Sequence, residues 1–114
     1  RNNMSRQPQA LDYTSGTITN SAVNIFEMGS ALVTSAPTGA RSFVGVTESA
    51  ALRARGDGSA PTAAEGQLIS SGDTIYLGES EFNSMEFIRQ ASTDVELRGH
   101  FYNVEVDVIL GKVS

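Results

Sequence analysis

The chain predicts an all-β domain: about eight short antiparallel strands in a jelly-roll-like sandwich or a barrel, behind an extended N-terminal arm. Three observations lead there. Apolar and polar residues alternate in several short runs, the signature of a half-buried strand. Turn residues interrupt these runs roughly every 8 to 12 residues, the spacing of sandwiches and barrels. Ser and Thr supply 23 of 114 residues and Gly another 11, while Lys occurs once and Trp never. That composition favours short strands and many turns.

Residues 1–10 are polar, with Pro8 and two Gln, and read as an arm that is flexible and extended, or ordered only by a partner. Residues 11–114 then form a single β domain. Leu11, Tyr13 and Ile18, interrupted by Ser15-Gly16, suggest a short strand, a turn and a second strand. Ala22 to Met28 alternates as a strand, with Val23 and Ile25 on one face and Phe26 and Met28 on the other. A further apolar run, Ala31 to Thr34, ends at the Pro37-containing turn before Gly39. In Ser42 to Glu48, Val44 and Val46 alternate with neighbours that are polar apart from Phe43, and Leu52 and Ala54 alternate with Arg53 and Arg55.

The segment from Gly56 to Glu65 is a loop, with Gly56 and Gly58 expected at positive backbone dihedrals and Pro61 stiffening it. Leu68-Ile69 leads to the turn Ser70 to Asp73, and Thr74 to Gly78 puts Ile75 and Leu77 opposite Tyr76. Phe82, Met85 and Ile88 fit one helical turn as well as a strand, and the shortness of the run favours strand. Val95, Leu97, Gly99 and Phe101 share one face of the clearest strand. Val104, Val106 and Val108 alternate in the opposite phase, which predicts a bulge or reversal at Tyr102-Asn103 and then another strand.

Charge and composition narrow the function. The net charge is -5, with eight cationic residues dispersed among 13 acidic ones, not the basic patch that nucleic acid requires. No apolar run approaches the roughly 18 residues of a membrane span. Without cysteine, thiolate metal sites and disulfides are excluded, and one histidine makes zinc improbable. No cofactor is expected. Asp57, Glu65 and Asp73 fall in turns, where Asp caps its own backbone, and no EF-hand ligand pattern surrounds them.

Catalysis finds little material. His100 is the only histidine, and it alternates onto the face opposite Leu97 and Phe101. No serine sits in a Gly-x-Ser-x-Gly elbow. A carboxylate pair such as Glu79 with Glu81, or Glu96 with Glu105, would need a set separation across a sugar cleft, and no Trp is present to stack on a sugar. The expected protein is not an enzyme.

The segment Leu52 to Gly66 carries the most specific pattern. Arg55-Gly56-Asp57 matches an adhesion tripeptide, and the Gly56–Glu65 loop offers an alternative function as a receptor- or glycan-binding module. Turn chemistry at Asp57-Gly58 and Pro61-Thr62 accounts for more of its letters. Arg53, Arg55 and Asp57 are the candidate contacts with a neighbouring subunit.

The order of pieces Arg53-x-Arg55-x-Asp57-Gly58, Pro61-Thr62, Gly66, Gly72-Asp73-Thr74-Ile75, Phe87-Ile88-Arg89 and Val95-x-Leu97 leading to Phe101-Tyr102 resembles small structural proteins of tailed bacteriophages. The resemblance spans roughly the last two thirds of the chain and is one of spacing. It implies a non-enzymatic virion component: a capsid decoration (cement) protein, or a part of the neck, tail or head fibre. The partners it implies are the major capsid protein or other virion proteins and further copies of the same chain, a trimer being favoured. It carries over no catalytic residues.

Overall fold

A computed structural model describes residues 7–111. Among them are seven strands: β1 (Ala10–Ile18), β2 (Ser42–Glu48), β3 (Leu52–Arg55), β4 (Gln67–Ile69), β5 (Thr74–Gly78), β6 (Glu86–Arg89) and β7 (Val95–Tyr102). Two short helices join them, α1 (Glu79–Ser84) and α2 (Val106–Ile109). The strands form two antiparallel sheets, ordered β1-β7-β2-β5 and β4-β3-β6, in a sandwich-like arrangement.

The inner face of the larger sheet follows the alternation of β7. Val95, Leu97 and Phe101 are fully buried, joined by Ile18, Phe43, Ile75 and Leu77 from its other strands. The smaller sheet contributes Leu52, Ala54 and Phe87. Phe101 is the hub, with the Phe43, Phe82 and Phe26 rings at centroid distances of 5.1, 5.4 and 5.8 Å. Three buried polar side chains also find partners. The Ser42 hydroxyl donates to Val104 O at 2.7 Å, Thr47 donates to Ser70 O at 2.9 Å, and Thr14 Oγ1 accepts from Val33 N at 3.2 Å. Burying such groups unpaired would cost stability.

Several expectations are corrected. Ser15-Gly16 is not a turn: β1 runs unbroken for nine residues, with Gly16 opposite Leu97. Gly16 is small because a Cβ there would sit 2.6 Å from Met28 Cβ. Ala22 to Met28 is not a strand. Asn24 Oδ1 accepts from Phe26 N at 2.9 Å and Asn24 O accepts from Glu27 N at 3.0 Å, folding the segment into a turn. Such Asx turns compete with extended structure. Residues 31–34 also lie outside any strand, and Leu32 is exposed.

In β2 it is Phe43, Gly45 and Thr47 that face inward, leaving Val44 half-buried and Val46 exposed on the outer face. The run after Gly78 splits into helix α1, which buries Phe82, and strand β6, which buries Phe87. After Tyr102 the chain bends, buries Val104 and forms α2 where another strand was expected. Of the arm, residues 1–6 lie outside the described residues. Gln9 closes the end of the β1–β7 ladder, donating to Asn103 Oδ1 at 2.8 Å and accepting from Asn103 N at 3.2 Å.

Candidate interaction surface

The three residues singled out from the sequence lie together on β3 and the loop that follows. Arg53 and Arg55 point away from the core, as their alternation with buried Leu52 and Ala54 requires. Both are engaged within the chain. Arg53 Nε donates to Ala63 O at 2.9 Å and Nη1 to Gly66 O at 3.0 Å, stitching the loop to the strand. Arg55 meets Asp57 as a fork, Nε to Oδ1 at 2.9 Å and Nη2 to Oδ2 at 3.0 Å. Asp57 Oδ1 also accepts from Ser59 N at 3.2 Å. These bonds hold the Asp57 carboxyl below its ordinary pKa, first through Arg55 and then through the Ser59 N–H. The same fork raises the pKa of Arg55.

The loop from residue 56 to 66 is folded onto the body. Pro61 is buried, and Thr62 and Glu65 exchange main-chain hydrogen bonds of 2.9 and 3.2 Å. Positive dihedrals fall at Gly58 (φ 93°) and Gly66 (φ 133°) rather than at Gly56. Gly56 is small for another reason: a Cβ there would lie 2.9 Å from Met85 Cε. In the Arg55-Gly56-Asp57 tripeptide the two charges are therefore paired with each other.

The outer face of the larger sheet carries a row that crosses all four strands: Tyr13, His100, Val44 and Tyr76 stand in register. Tyr13 is 39% exposed, Tyr76 41%, and neighbouring Val46 39%. The Tyr13 and His100 rings are 5.2 Å apart. Next to them, Arg98 has its pKa raised, first by the Tyr13 hydroxyl and then by Glu48, to which its Nε donates at 3.1 Å. The row sets two tyrosine rings, an imidazole and a valine side by side, an amphipathic surface. Among the described residues no cluster of three or more His, Asp or Glu could hold a metal ion, and no helix is long and apolar enough to cross a membrane.

A groove of about 350 Å³ opens beside this face, between β4 and β5. These strands are consecutive, yet the Ser70–Asp73 turn sends them into different sheets, and each is an edge. Leu68, Ile69, Tyr76 and Met85 supply its apolar lining, with Asp73 and Glu81 also lining it. Leu68 is 50% exposed. The Thr47 N–H donates to Asp73 O at 3.3 Å, which sets the phase of the β2–β5 ladder. Ile75 and Leu77 therefore turn their main-chain groups towards β2, and Thr74 and Tyr76 turn theirs outward. Gly78, next in that outward phase, has its N–H taken by Glu81 Oε1 at 2.7 Å.

Sequence patterning located the Arg53–Asp57 surface but missed the groove. Its only trace is the pair of apolar residues Leu68 and Tyr76, one on each of two short strands flanking a Gly-Asp turn. No protein-family model, no curated protein and no solved structure matches this chain.

Proposed function

We propose that this chain is a non-enzymatic assembly protein of a virion, a capsid decoration protein that stabilises a tailed-phage head as a closed homo-oligomer, with a trimer the favoured state. The observation that carries the assembly reading is the groove between two sheet edges that pair with no further strand among the described residues, with exposed Leu68 and Tyr76 beside it. Free edges with apolar flanks are aggregation-prone unless covered, and subunit contacts are one way to cover them. The amphipathic row Tyr13, His100, Val44 and Tyr76 adds a second contact face of the aromatic character enriched at interfaces.

The charge distribution supports a protein partner. All 13 acidic side chains lie within the described residues, with only five of the eight cationic ones. Those five arginines are each engaged by carboxylates or carbonyls of the same chain. The resemblance in spacing to small phage structural proteins supports a virion protein as that partner.

A cement protein bound to the intact shell and not to the dispersed one stabilises it by linkage. Purified chain added to heads that lack it is expected to co-sediment with them and to raise the temperature at which they release DNA. Heads that neither bind it nor change in release temperature would rule the reading out.

A further inference from the structure

We propose that the groove between β4 and β5 receives residues 1–6 of a second copy of this chain, laid as an added strand along the free edge of β5. This deepens the assembly reading and rests on it for the existence of an oligomer. Strand addition needs an edge with unpaired main-chain groups and pockets for alternate side chains. The outward N–H and C=O groups of Thr74 and Tyr76 supply the first, and the apolar lining at Leu68, Ile69 and Met85 supplies the second.

Charge selects the occupant. Asp73 and Glu81 stand at opposite ends of the β5 edge, and neither has a cationic partner among the described residues. Glu81 is fixed at the Gly78 end by its bond to the Gly78 N–H. Asp73 and Gly78 are five positions apart, about 17 Å along a strand. Residues 1–6 read Arg-Asn-Asn-Met-Ser-Arg, with Arg1 and Arg6 likewise five positions apart. Laid in either direction, the segment brings one guanidinium to the Asp73 end and the other to the Gly78 end; the antiparallel direction pairs Met4 with Ile75, the parallel one with Tyr76 on the opposite face.

Reach selects a second copy. Ala10, Tyr102, Ser42 and Gly78 form one row across the sheet, which places Ala10 and Gly78 three strand spacings apart, about 14 Å. Gln9 continues the β1–β7 ladder at Asn103, so the chain enters the sheet at its β1 edge, opposite the β5 edge. Residues 1–6 span at most about 20 Å when extended, and most of that would be consumed in crossing to β5 of the same copy.

The test uses the full chain and an Arg1→Glu/Arg6→Glu double variant, whose substitutions lie outside every contact described for residues 7–111. Sedimentation velocity is read together with amide hydrogen exchange at Thr74 and Tyr76. The wild-type chain is expected to associate with both amides protected. The variant is expected to associate about tenfold more weakly, since two attractive pairs become repulsive, and to lose that protection. A variant that sediments like the wild type, or equal exchange of both amides in the two proteins, overturns the groove assignment and leaves the assembly reading standing. A wild-type chain that stays monomeric and binds no phage heads overturns both.

Discussion

Gly45 and Gly99 face each other directly across the β2–β7 pair, and the Phe43 ring lies over both. A Cβ on Gly99 would sit 2.6 Å from Gly45 Cα and 2.7 Å from Phe43 Cζ. A Cβ on Gly45 would sit 2.7 Å from Phe43 Cε2 and 2.9 Å from Arg98 O. Backbone cannot yield as a side-chain tip does, so the pair is a slot shaped for one aromatic ring. Gly99→Ala is expected to destabilise the fold by about 3 kcal/mol, the upper end of overpacking costs. Gly72→Ala provides the contrast. Its φ of 92° strains an alanine, but nothing lies within 4 Å, so the loss should be only about 1 kcal/mol. Urea unfolding of both variants, compared at equal m-value, checks the ordering.

Phe101 touches three other aromatic rings and is fully buried. Phe101→Ala is expected to cost about 4 kcal/mol, because rings arriving from a loop, a strand and a helix cannot collapse together into the cavity. Thermal unfolding is the readout, with a loss below about 1 kcal/mol incompatible with a central role for this ring.

Arg53 acts as a clasp on the loop. Arg53→Ala removes two hydrogen bonds to the carbonyls of Ala63 and Gly66. The expected loss of global stability is about 1 kcal/mol, with faster amide exchange and proteolysis concentrated in residues 56–66. Uniformly faster exchange across both sheets would show that the clasp is not local.

The Arg55–Asp57 fork should be visible in a titration. Asp57 has its pKa lowered from the ordinary 3.8, mainly by Arg55. A lowered carboxylate pKa contributes stability that is present above the unfolded value and lost as pH falls through the folded one. The contribution is therefore complete at neutral pH and disappears only below about 3.8. Carbon-13 titration of the Asp57 carboxyl should give a midpoint below 3.8, returning upward in Arg55→Gln. The Ser59 N–H would keep part of the shift. An unchanged midpoint in the variant would assign the whole effect to the turn.

Much of the fold was legible because alternation is informative wherever one face is buried. β3, β5 and β7 follow their apolar positions residue by residue, and the Gly72 turn falls where Ser-Gly-Asp announces it. The misreadings have separate causes. Phe82 to Ile88 satisfies two periods at once and could not be divided between helix and strand, while Val104, Val106 and Val108 alternate strictly and read as a strand where α2 forms. β2 inverted its expected face because one phenylalanine and a glycine slot outweighed two valines. Gly16 read as a turn because the reason for its size, Met28, lies 12 positions away. Arg53, Arg55 and Asp57 were found as a cluster, but their mutual and main-chain bonds depend on loop geometry that spacing does not specify. The groove was out of reach, because nothing local states that β4 and β5 part into different sheets.

Cryo-electron microscopy of tailed-phage heads assembled with and without this chain tests the central claim most directly. The expected result is density fitting the seven-stranded sandwich, repeated over the outer surface of the shell and absent from heads lacking the chain. Shells indistinguishable in the two preparations, with the chain confined to the unbound fraction, would contradict it.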